Sequence, residues 1–210
     1  MKTALPCASL VAALIAPLTA DAATLVNFTF PAVGSLAPTT QAANITASNV
    51  GLSSGTIGEN VTTGTYFANE PYIQGTGWTA TTQAGAKYFT FTLTANAGYQ
   101  FDLTRIFFNA YATGSGPSAV GISLGANPVA ALNAPDSTLF AVDQSITGQN
   151  GLSTVEIRIQ GWRNESRVTT GGGDLRIDDL LVEGNVFAVP EPSALFLGLL
   201  GAVGFARRRR

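Results

Sequence analysis

Histidine is absent from the 210 residues, and cysteine and methionine occur once each. Without histidine there is no Ser-His-Asp or Cys-His catalytic set, no imidazole base poised near neutral pH and no histidine metal site. With a single cysteine there is also no disulfide framework and no multi-cysteine metal site. Charge is scarce: 11% of residues are Asp, Glu, Lys or Arg, less than half the usual share of about 25%. Any catalysis would have to run through carboxylates, hydroxyls, lysine or an oxygen-held metal. The chain is instead 46% hydrophobic, and its length fits one domain or at most two small ones.

The lone Cys7 sits in a segment with Lys2 near its start, an apolar run over residues 10–18 and an A-x-A pattern at Ala20, Asp21 and Ala22. That order predicts a signal peptide over residues 1–22, cleaved after Ala22. Cys7 precedes the apolar run rather than following it, which argues against lipidation. The mature chain then carries no cysteine.

The other end of the chain holds a second address. Pro190, Glu191 and Pro192 are followed by an apolar stretch over residues 194–206, interrupted only by glycine, and then by Arg207, Arg208, Arg209 and Arg210. Thirteen such residues fall short of the roughly 20 of an ordinary spanning helix, although arginine stems lengthen the reach by snorkelling. The two prolines keep their segment extended and out of any helix. The order over residues 189–210 closely resembles the PEP-CTERM sorting signal of Gram-negative bacteria. The resemblance implies recognition at Pro190–Glu191–Pro192 by an exosortase, and a transmembrane helix that holds the protein transiently in the inner membrane. Arg207 to Arg210 then stay on the cytoplasmic side until processing. It also implies an exported protein of the cell surface or extracellular matrix, with a structural or interaction role beside exopolysaccharide in a biofilm.

Residues 23–188 form the intervening domain. Six basic residues stand against eleven acidic ones over 23–187, a net charge of about −5, and no basic patch argues for nucleic acid. Residues 87–94 alternate with period two, placing Phe89, Phe91 and Leu93 on one face and Tyr88, Thr90, Thr92 and Thr94 on the other. Val155, Ile157 and Ile159 do the same against Glu156, Arg158 and Gln160. Similar runs over 24–30, 101–112, 119–124, 138–142 and 175–182 are bounded by Gly, Pro, Asn and Ser. Short strands with one apolar face predict an all-β fold, an antiparallel β-sandwich. The run Leu175-Arg176-Ile177-Asp178-Asp179-Leu180, with the Tyr88 to Ala112 region, loosely resembles secreted jelly-roll domains of the carbohydrate-binding-module type. The resemblance implies a jelly-roll-like order; an immunoglobulin-like sandwich is the alternative.

In jelly rolls of that kind an aspartate of the last strand helps hold a structural calcium ion, which makes Asp178 or Asp179 a candidate ligand. Hydrogen bonding of an inward aspartate to loop amides is the competing reading. Trp78 and Trp162 are the candidates for glycan binding, because sugar rings stack on flat indoles. Arg163 and Asn164 would supply the hydrogen bonds to hydroxyls. The alternative is that the two indoles cap the core. Capping is the expected role of Trp162, while Gly75 and Gly77 place Trp78 on an accessible loop. No pair of carboxylates is singled out by spacing, so the domain reads as a non-enzyme: a matrix protein, or alternatively a module that binds one specific glycan.

Overall fold

The computed structural model describes residues 22–32, 34–55, 57–60, 71–163 and 173–189. The predicted signal segment up to residue 21, Asn164, and the tail from Pro190 to Arg210 with its predicted helix lie outside these residues. Among the described residues no helix is long and apolar enough to cross a membrane.

Two antiparallel sheets pack face to face. In the seven-stranded sheet, β11 (Leu139–Leu152), β8 (Tyr99–Ala112), β13 (Leu175–Ala188), β1 (Ala23–Phe28) and β2 (Thr40–Gln41) follow one another; β6 (Tyr72–Gly75) pairs with the start of β13, and β5 (Gly58–Asn60) with β6. The six-stranded sheet runs β10 (Asn127–Asn133), β9 (Ala119–Leu124), β12 (Thr154–Trp162), β7 (Lys87–Ala95) and β3 (Ile45–Ala47), with β4 (Gly51–Leu52) on the other end of β7. The first and last strands are therefore neighbours, and β13 pairs with β8 on one side and with β6 and β1 on the other as far as Gly184.

The alternation in β7 and β12 explains why both strands belong to the interior. Phe89, Phe91 and Leu93 are buried and stand opposite Ile159, Ile157 and Val155 in register. Thr90, Thr92 and Thr94 face outward with Arg158, Glu156 and Thr154. Phe28 of β1 meets Phe91 from the other sheet edge to face, with ring centroids 5.0 Å apart. Burying each such ring removes apolar surface from water, about 1.5–3 kcal/mol per side chain.

The long strands contain the runs the sequence pattern predicts, although β11 continues ten residues and β13 six beyond the predicted ends at 142 and 182, whereas β2 to β6 and β10 leave no pattern. Strands of two to four residues are too short to show a period, and β10 is an edge strand with Pro128 inside it. Strict alternation also fails at one place. The register of β13 against β8 shifts between Asp178 and Leu181, and Asp179 has a φ of 50°. This bulge buries Asp178 and exposes Asp179.

Candidate functional site

Trp78 is not accessible. Its exposure is 0%, and the indole N–H donates to the Gly75 carbonyl. The ring lies between the sheets at one end of the sandwich: a Cβ on Gly75 of β6 would come within 2.7 Å of Cζ2, and one on Gly161 of β12 within 2.8 Å of Cε3. Phe89 closes a third side at a centroid distance of 5.5 Å. Gly75 thus makes room for the indole rather than loosening a loop, and the expected accessible Trp78 is corrected to a plug of the core. Its ring has no free face for a sugar.

Trp162 ends β12 on the outer face of the six-stranded sheet and is half-buried. Its Cζ3 lies 2.8 Å from where Gly121 would carry a Cβ, so the ring rests on bare backbone. Beside it, Gln83 donates to the Gln160 side-chain oxygen at 2.9 Å, Gln160 donates back to the Gln83 carbonyl at 3.1 Å, and Ser123 donates to Gln160. These amides satisfy one another and are spent on the fold. Arg163 braces two loops: its main-chain N–H donates to Ala80 at 2.8 Å, and its guanidinium to the Ser115 carbonyl at 2.6 Å. The structure therefore brings Trp162 and Arg163 to one end of the sheet, with the guanidinium directed at backbone.

Asp178 accepts a hydrogen bond from the main-chain N–H of Asp179 at 2.7 Å, and Asp179 accepts one from Asn109 at 3.1 Å. Among the described residues no three acidic side chains gather at one point. The register places Asp178 opposite Asn109 of β8.

Two clusters emerge only from the folded chain. On the outer face of the seven-stranded sheet, the Arg176 guanidinium lies 5.1 Å from the Tyr72 ring centre and 5.4 Å from that of Tyr111, with Asp174 at 3.4 Å. Tyr72 belongs to β6, Tyr111 to β8 and Arg176 to β13, so no local pattern signals the stack. At the end plugged by Trp78, a polar cleft of about 290 Å³ is lined by Ser53, Ser54, Gly77, Thr79, Ala86 and Lys87 among others.

On each outer face an arginine holds one carboxylate below its ordinary range. Arg105 grips Asp143 with two hydrogen bonds, at 2.6 and 2.8 Å, and reaches Glu183 at 3.0 Å. The first contact holds the Asp143 carboxyl below its ordinary range, against the opposing effect of burial. Glu156 is likewise held low by Arg158 at 2.6 Å, with help from Thr90.

The last described residue, Val189, donates its N–H to the Gly98 carbonyl at 2.8 Å, directly after β13 has ended at Ala188. The Pro-Glu-Pro triplet and the arginines come next in the chain. Residues 188–210 match the PEP-CTERM protein-sorting motif. The PEP-CTERM tail marks an exported protein sorted through the membrane. It starts where the sandwich stops.

Among curated proteins, none matches the chain. Among solved structures, it is similar to tailspike protein 4 of bacteriophage CBA120, at 16% identity and a TM-score of 0.40, covering 68% of this chain and 20% of that one. The chain thus spans about a fifth of that solved chain, the enzymatically active domain of the tailspike. It is also similar to a family 11 carbohydrate-binding module of a cellulosomal cellulase of Clostridium thermocellum, at 13% identity and a TM-score of 0.38, covering 82% of this chain and 98% of the module. A carbohydrate-binding module described as recognising mannan matches at 12% identity and a TM-score of 0.41, covering 79% of this chain and 99% of that one.

Proposed function

We propose that the protein is an exosortase substrate whose sandwich is released to the cell surface or extracellular matrix, where it serves a non-catalytic, structural role in contact with exopolysaccharide. The observation that carries the reading is the boundary at Ala188. The motif spans 188–210, and β13, the strand shared by β8, β6 and β1, is complete at its first residue. Cutting after Val189 therefore removes none of the described strands. At two acids the chemistry supports the non-catalytic role: Asp143 and Glu156 are tied to arginines and held ionised, which unfits them as general acids. The test is mass spectrometry of protein recovered from the cell exterior. It is expected to begin at Ala23 and to lack Arg207 to Arg210; a tail intact on most of the secreted material would overturn the sorting reading.

The half-exposed ring of Trp162 favours a second reading, a module that binds one specific glycan. A glycan array with the secreted protein separates the two. Retention of one glycan, lost on Trp162→Ala, supports the module, and the absence of any retained glycan leaves the structural role.

A further inference from the structure

Lys87 is the only lysine after Lys2, and it opens β7 beside the Trp78 plug. Arg105, Arg158 and Arg176 each hold a carboxylate, whereas Lys87 makes no ion pair among the described residues. Its ammonium donates to the Thr76 carbonyl at 2.6 Å. An ammonium has three donors, so two remain. Lys87 lines the 290 Å³ cleft, whose other polar side chains among the described residues are the hydroxyls of Ser53, Ser54 and Thr79. The Ser53 hydroxyl accepts from the Tyr88 N–H at 3.0 Å and keeps its own proton to donate.

The approach to the ammonium is shaped by two glycines. Gly55 and Gly77 have φ of 86° and 74°, and a Cβ on either would stand 3.4 or 3.7 Å from Nζ. Both loops thus pass the charge as bare backbone, and among the described residues no carboxylate lines the cleft. A recess with one unpaired cation and several hydroxyl donors calls for an anion that also carries hydrogen-bonding oxygens. Its volume lies near the lower end of small-molecule sites.

We infer that this cleft binds the carboxylate of a uronic acid residue in an acidic polysaccharide, with Lys87 as the counter-ion and Ser53, Ser54 and Thr79 as partners of the ring oxygens. The inference deepens the proposed contact with exopolysaccharide and rests on it. The domain as a whole is acidic, so attraction to a polyanion is local. At physiological salt a charge acts over about 8 Å, and binding is expected to weaken as salt rises.

Titration calorimetry of the secreted protein with oligogalacturonate tests this, with neutral dextran and sodium acetate as comparison arms. The oligogalacturonate is expected to bind and dextran not to bind. Lys87→Gln is expected to weaken binding about tenfold or more, Lys87→Arg to retain most of it, and Ser54→Glu on the exposed lip to abolish it by repulsion. All three variants should melt with the wild type; should Lys87→Gln unfold, Ser54→Glu still decides. Equal binding by wild type and the variants, or no binding of oligogalacturonate, overturns the inference. Acetate competing as well as the oligomer reveals a bare anion site and overturns the sugar assignment. Binding of dextran alone refutes the acidic ligand while leaving the wider polysaccharide reading in place. A protein that binds oligogalacturonate but does not fractionate with the matrix keeps the cleft and loses that wider reading.

Discussion

The indole of Trp78 covers Gly161, with Cε3 only 2.8 Å from the position of a Cβ on that glycine. Two sheets that diverge at the end of a sandwich need a filler, and here a single ring spans from β6 to β12. Interiors are close-packed and respond to a single methyl group.

Gly161→Ala should therefore destabilise the domain by about 1–3 kcal/mol through overpacking against a rigid ring. Trp78→Ala should cost about 3–5 kcal/mol through lost burial and a cavity. Urea melts of the two variants check both values. A Gly161→Ala protein as stable as the wild type would mean that the indole does not sit there.

The facing of β7 yields a second expectation. Phe91 is buried against Phe28, while Thr92 faces outward beside Ser48 and Glu156. Phe91→Ala should lose about 3–5 kcal/mol and Thr92→Ala under about 1 kcal/mol. Equal losses in chemical denaturation would show that the facing of the strand, or the strand itself, is wrong.

Trp162 is half-buried where Trp78 is sealed, and only one face of its ring rests on Gly121. Trp162→Ala should thus cost less than Trp78→Ala, about 1–2 kcal/mol. Thermal melts of the two alanine variants side by side make the comparison, and an equal loss would show Trp162 to be a second plug.

Acid stability follows from the ion pairs. Asp143 and Glu156 have folded-state pKa values below those of the unfolded chain, chiefly because Arg105 and Arg158 hydrogen-bond to them. Their contribution is complete above the unfolded carboxylate range and is lost as pH falls through the folded values. Residues 23–188 contain no histidine and no cysteine, so the melting temperature should be flat between about pH 5 and 8 and decline below about pH 4. Both pairs are partly exposed, so the decline should be modest and weaker still at high salt. In Glu156→Gln it should be shallower, as pH-scanned calorimetry would show.

The sequence by itself determined the C-terminal PEP-CTERM tail, the all-β class and the facing of β7 and β12. These are local properties: a signal is read along a few consecutive residues, and a strand shows its buried face through a period of two. The same locality explains the error at Trp78. Gly75 and Gly77 look like loop residues until β6 and β12 are known to flank one ring. Only the tertiary structure set Tyr72, Arg176 and Tyr111 in a stack, joined Ser53, Thr79 and Lys87 around one cleft, and turned the Arg163 guanidinium onto the Ser115 carbonyl. Each of these depends on which strands are neighbours. That order is fixed by the packing of two whole sheets and by chain crossings tens of residues long, and no short window of sequence records it.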